Sequence, residues 1–144
     1  MVAELKALLV TPLKRIDIRQ VVIDSINAHD ADIVDLNLQQ LADGKLATGE
    51  AIKPFYKPVT IKLKQKLGQP TDKVTLKGKS GKFYQGTYAR PTPGGNTEIG
   101  SADEKAPYLE RKYSLNIFGL SVPSREQLTA RMKPTLQDNF KRAL

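Results

Sequence analysis

The sequence predicts an α+β fold on three observations. Residues 16–41 carry apolar side chains at close to a 3.6-residue period; two short extended runs flank a Pro/Gly-rich reversal at residues 91–96; and an apolar residue recurs every fourth position to the C-terminus. The expected architecture is a long N-terminal helix, a short basic helix, a small antiparallel β-hairpin and a C-terminal helix packed on it, all in one domain over residues 1–144. A two-stranded hairpin is marginal alone in water, so helices must cover one face of it.

Val2 to Leu9 fits a short helix ended by Pro12, which cannot donate a backbone hydrogen bond; residues 1–15 are expected to be a mobile or partner-binding segment. In the long helix Val22, Ile26, Ile33, Leu36, Leu38 and Leu41 form the apolar stripe, Asp17 stands at the N-cap or first turn, and Gly44 is the stop. At about 1.5 Å per residue this helix would run nearly 40 Å unless it breaks near Ala28 to Asp30.

Residues 44–54 read as an exposed loop. Pro58 suits the first turn of a second helix through Leu67, stopped by Gly68, with Ile61, Leu63 and Leu67 on the apolar side and Lys57, Lys62, Lys64 and Lys66 on the others. Residues 69–85 are turn-rich but anchored by Val74, Leu76, Phe83 and Tyr84, as a packed loop or short strand. The strands are expected at Thr87 to Arg90 and Thr97 to Gly100, and residues 91–96 are expected as an exposed arm that orders on assembly. Ala106 to Tyr113 forms a short helix with Leu109 and Tyr113 on one face, and Ile117, Phe118 and Leu120 make an apolar plug. Ser121 or Ser124 caps the last helix, whose stripe is Leu128, Met132, Leu136, Phe140 and Leu144, with a kink expected at Pro134.

Composition removes most catalytic classes. Cysteine is absent, so disulfides, thiolate metal sites and thiol nucleophiles are excluded, in keeping with a reducing compartment. His29 is the sole histidine and cannot build a multi-histidine metal site; no serine elbow accompanies it, and it reads as a surface or helix-boundary residue. Asp30, Asp32 and Asp35 are expected to spread around a helix and not to converge on one ion. Gly78-Lys79-Ser80 lacks the upstream glycine of a phosphate-binding loop, since Lys73 occupies that place. No cofactor, metal or catalytic residue is therefore expected. The longest apolar run, residues 7–10, is far below the roughly 20 residues of a bilayer span, and the start lacks the basic stretch of a signal peptide, so the expectation is a soluble, unprocessed chain without membrane contact.

Charge is segregated along the chain. Residues 1–50 hold five Lys and Arg against eight Asp and Glu; residues 51–90 hold ten against one; the remainder holds eight against six, within a net charge of +8. A basic band of this kind attracts phosphate backbones or acidic protein surfaces. Nine of its ten cations are lysines, which disfavours base-specific reading, where arginine dominates. Aromatic residues interleave with the lysines, as in single-strand binders, but a chain without tryptophan also needs large side chains as core filling, the default for Phe83 and Phe118.

Several strings carry a resemblance: Pro54-Phe55-Tyr56-Lys57-Pro58-Val59-Thr60 leading into the Lys-rich helix, Gly68-Gln69-Pro70-Thr71-Asp72-Lys73-Val74-Thr75-Leu76, Gly81-Lys82-Phe83-Tyr84, Ile99-Gly100-Ser101, and Ile117-Phe118-Gly119-Leu120-Ser121 before the last helix. In these and in element order, over most of residues 44–144, the chain resembles small tail-completion or head-tail joining proteins of tailed bacteriophages, particularly phages of Bacteroidetes. It departs from them at Lys57, where a small hydroxyl residue is common, and at Ser80, where threonine precedes the glycine. The resemblance implies a non-enzymatic virion protein at the neck or tail end, made in the host cytoplasm and assembled as a ring of six or twelve copies between portal or adaptor and tail. It carries no active-site residues.

The residues expected to meet partners are Lys57, Lys62, Lys64, Lys66, Tyr88, Arg90 and Phe118. A ring lumen lined by such bands would hold passing DNA through counterion release, so the Lys-rich helix is expected to face outward or meet an acidic neighbour. The alternative function is a basic accessory protein that contacts nucleic acid non-specifically through residues 53–90.

Overall fold

The computed structural model of the chain describes residues 17–144; the expected helix at Val2 to Leu9 and the partner-binding role of residues 1–15 lie outside them. The fold is α+β: among the described residues six α-helices, one turn of 3-10 helix and one two-stranded antiparallel sheet.

The first helical stretch is broken at the position allowed for. α1 spans Ile18–Asn27 and α2 spans Asp30–Ala42. Asp17 caps α1, its carboxylate accepting from the Gln20 amide at 3.1 Å. His29 leaves helical geometry at φ −114° and ψ 25°, and both ring nitrogens are occupied, Nδ1 by Asp32 and Nε2 by the Thr135 hydroxyl, each at 2.7 Å. It is a half-buried boundary residue and not a surface one. Because the break gives α1 its own rotation, Val21 and Ser25 face inward while Val22, expected in the stripe, is exposed. On α2 the expected Ile33, Leu36 and Leu41 are buried.

Gly44 ends this unit at φ +73°, and a Cβ there would lie 2.8 Å from Lys73 Cβ, so conformation and close approach both require glycine. The following loop is not simply exposed, as its composition had indicated. Lys45 and Ala51 form an isolated antiparallel bridge, the Leu46 amide donates to the Glu50 carbonyl at 2.8 Å, and Leu46 and Ile52 enter the core. Satisfying the backbone polar groups within the loop is what lets its apolar side chains be buried.

α3 spans Pro58–Lys66. Beyond it Val74, Thr75 and Leu76 are buried, with Leu76 in the left-handed region at φ +59°, and two phenols hold Thr75: Tyr56 accepts from the Thr75 amide at 2.9 Å and Tyr84 donates to the Thr75 carbonyl. The four-residue α4, Lys82–Gln85, buries Phe83. Thr87 and Ser101 both donate to the Phe83 carbonyl, at 2.9 and 3.0 Å, and so fasten the hairpin to α4. β1, Thr87–Pro91, pairs with β2, Thr97–Ser101, in a register that sets Tyr88 opposite Gly100 and Arg90 opposite Glu98. The reversal at residues 91–96 is exposed at four of its six positions, as expected, and its backbone is bonded: the Thr92 and Gly95 amides donate within it, and Arg19 of α1 donates to the Gly94 carbonyl at 3.0 Å.

α5, Ala106–Lys112, turns Leu109 toward the core, joined there by Tyr113 at its C-cap. The 3-10 turn Leu115–Ile117 buries Ile117 completely, and Phe118 packs on Phe83 with ring centres 5.7 Å apart. α6, Val122–Ala143, is helical on both sides of Pro134. It lies against α1 and α2, and α2 in turn lies against β1. Met132 is its buried apolar residue, Leu128, Leu136 and Phe140 are half-buried, and Leu144 is exposed. Ser121 occupies the N-cap position but makes no side-chain cap bond; its hydroxyl donates to the Ser124 hydroxyl at 3.3 Å, and its amide and the Ser124 hydroxyl both donate to Gln40 Oε1, at 2.8 and 3.1 Å. Two of the three acids expected to diverge instead converge: Asp32 and Asp35, three apart on α2, both accept from Arg131 Nη1, at 2.9 and 3.0 Å.

Candidate interaction surface

The basic band is organised by α3. Pro58 fixes its first turn and Lys64 and Lys66 stand in its last, where cations suit the helix dipole. Ile61 and Leu67 are half-buried and three of the four lysines exposed, as expected, but Lys64 turns inward and Leu63 outward. Lys64 is 5% exposed, with Nζ donating to Gln69 Oε1 at 2.8 Å and lying 5.1 Å from the Tyr56 ring centre. Gln69 in turn donates to the Gly78 carbonyl at 2.8 Å, so one inward lysine ties α3 to the loop beyond it. Its alkyl stem and ring contact make burial tolerable for a lysine.

With Lys64 inward, Val59 is 79% and Leu63 45% exposed, four residues apart on one face, with Phe55 at 62% just before the helix. Exposed Lys57, Lys62 and Lys66 flank this stripe. Leu63 is also the lip of a groove of about 240 Å³ between α3, the 76–83 loop and α5. Leu67, Leu76, Phe83, Leu109 and Tyr113 supply its apolar walls; Lys77, Lys79, Lys82 and Lys105 rim it against a single acid, Asp103. Burial pushes the Tyr113 phenol up, and the Tyr84 phenol higher still, so both stay protonated and the charge of this region is that of its lysines.

Of the seven residues expected to meet partners, Lys64 alone lines the groove, and it does so as a tether. Lys57, just before α3, and Lys62 and Lys66 on it are exposed and form no ion pair among the described residues. Arg90 is engaged within the hairpin, its Nε donating to Glu98 at 2.7 Å and its guanidinium 4.6 Å over the Tyr88 ring, and Glu98 holds that guanidinium protonated beyond its usual range. Phe118 is core, as its default reading had it. The stripe of Val59 and Leu63, and the contribution of Lys105, Leu109 and Tyr113 from α5, were not anticipated.

The aromatic residues interleaved with the lysines are mostly spent inside. Phe83 is buried, the Tyr56 and Tyr84 hydroxyls are bonded to Thr75, and Tyr88 lies under Arg90. Among the described residues no group of three His, Cys, Asp or Glu side chains could hold a metal ion, and no helix is long and apolar enough to cross a membrane. No family model matches the chain, and no curated protein or solved structure matches it.

Proposed function

We propose that this chain is a non-enzymatic structural protein of a tailed-phage virion, assembling as a ring at the neck or tail end that joins portal or adaptor to tail. The resemblance of residues 44–144 to such proteins supplies the class, and one observation carries the physical reading. α3 turns Val59 and Leu63 to solvent and a lysine inward, which leaves an apolar stripe bordered by cations with nothing among the described residues to cover it. An exposed apolar row of this kind has a free-energy reason to be covered by another protein surface.

Sedimentation of the full chain, alone and with its portal, adaptor and tail neighbours, tests the reading. Concentration-dependent assembly that Leu63→Asp abolishes is expected. A chain that stays monomeric in all of these mixtures overturns it. The nucleic-acid alternative is favoured by the four-lysine rim, but the inward aromatics leave few rings for stacking. It requires affinity for duplex DNA to fall with log salt at about 0.9 per phosphate contacted; a flat salt response disposes of it.

A further inference from the structure

We infer that the groove beside α3 is a docking site for an acidic amphipathic segment of a neighbouring protein, one that inserts a large apolar side chain between α3 and α5. The inference rests on the assembly reading above and names the partner chemistry for that same face. Three observations select this occupant.

The first is size and continuity. A space of about 240 Å³ takes one large side chain, not a folded element, yet its lip continues outward along α3 as Leu63 and Val59. A small isolated ligand would leave that row uncovered. A helix or extended segment with apolar residues one turn apart would place one in the groove and the next on the row.

The second is charge. Lys77, Lys79, Lys82 and Lys105 line the groove with Asp103 as the sole acid among the described residues there, and Lys62 and Lys66 border the exposed row. Acidic residues flanking the apolar anchors would meet cations on both sides, which favours encounter and fixes direction more than it adds affinity. The third concerns what the groove offers a polyanion. Its walls are Leu76, Phe83 and Leu109, a surface that a phosphate backbone cannot use.

Three labelled fifteen-residue helical peptides probe the site against the full chain by fluorescence anisotropy. One carries Leu at i, i+4 and i+7 with Glu at the flanking positions, the second replaces Glu by Lys, and the third replaces Leu by Ser. The Leu/Glu peptide is expected to bind, and the other two at least about tenfold more weakly. Leu63→Glu and the paired Lys79→Glu, Lys82→Glu chain are each expected to weaken the Leu/Glu peptide by about tenfold or more, with unfolding midpoints near the parent's because these side chains are exposed or line the rim.

Equal binding of the Leu/Glu and Leu/Lys peptides overturns the inference, as does binding that Leu63→Glu leaves unchanged. If duplex DNA binds and Lys79→Glu, Lys82→Glu weakens it while no peptide binds, the face belongs to a polyanion and the inference fails. If no peptide binds but Leu63→Glu disrupts self-association, the occupant is a second copy: the inference fails and the assembly reading stands. If Leu63→Glu alters neither, both fail.

Discussion

The Asn37 side-chain amide donates to the Ile117 carbonyl at 3.0 Å across eighty residues of sequence, and both residues are fully buried. The same side chain accepts from the Gly119 amide at 2.8 Å, so one asparagine on α2 closes both ends of the turn that leads into α6. Gln40, one helical turn later, repeats the arrangement: it donates to the Gly119 carbonyl at 3.0 Å and accepts from the Ser121 amide. These bonds place α6, and through it the packing of α1, because buried polar groups hold one geometry and are costly when unmatched.

Asn37→Leu keeps the approximate volume and strands the Gly119 amide and the Ile117 carbonyl. The expected loss is about 2–4 kcal/mol, the scale of buried groups left without partners. A fall in urea midpoint at unchanged m-value measures it, and a change within 0.5 kcal/mol, on the order of a surface substitution, would show that water replaces the amide.

Gly119 itself sits at φ +126°, and a Cβ there would meet the Ala47 methyl at 3.0 Å. Gly119→Ala is expected to cost about 1–3 kcal/mol through backbone strain plus contact. Adding Ala47→Gly removes only the contact, so a double-mutant cycle should show partial recovery; full recovery would mean that the backbone conformation carries no strain.

A cluster at the α1–α2 break is expected to shape the acid limb of stability. A hydrogen bond from His29, then one from Arg131, hold the Asp32 carboxyl below its usual value, whereas burial raises Asp30, whose Oδ1 has no partner among the described residues. For Asp32 the folded pKa is the lower one, so its stabilisation is complete above the ordinary carboxyl value near 3.8 and is lost as pH falls through the depressed one. Asp30 has the opposite sign, its ionised form opposing folding until pH falls through its raised value. Calorimetric melting between pH 2 and 6 should therefore show a shallower acid decline for Asp32→Asn. For Asp30→Asn it should show the loss of any gain on acidification above the Asp32 transition. Identical profiles for parent and Asp32→Asn would remove the cluster from the acid limb.

Local chemistry was legible in the sequence where one residue type has one reason to stand where it does. Asp17 as a cap, Gly44 and Gly68 as stops, Pro58 at a first turn and the Pro/Gly reversal between two β-rich runs all follow from backbone constraints acting over a few residues. What was not legible depends on partners distant in the chain. Asn37 and Gln40 lie outside the apolar stripe that marks the helix, yet each meets backbone about eighty residues away. Leu46 and Ile52 have no periodicity to mark them as core. At the candidate surface the band of lysines was legible as a band, but periodicity could not say that Lys64 and not Leu63 would turn inward, since that choice is made by Tyr56 and Gln69.

That choice gives the sharpest contrast among the lysines. Lys64 Nζ is held by Gln69 and faces the Tyr56 ring, while Lys62 and Lys66 extend from exposed positions on the same helix. Lys64→Met retains the buried stem and loses the tether, so a cost of about 1 kcal/mol is expected, the net worth of one hydrogen bond. Lys64→Glu places an unmatched anion against the phenol ring and Gln69 Oε1, for which about 3 kcal/mol or more is expected. Lys62→Glu and Lys66→Glu should each stay within about 0.5 kcal/mol. Chemical denaturation of the four variants checks the order, and a Lys64→Glu chain as stable as Lys62→Glu would mean that α3 turns its lysine outward in solution, burying Leu63 and removing the apolar row on which the interaction surface is built.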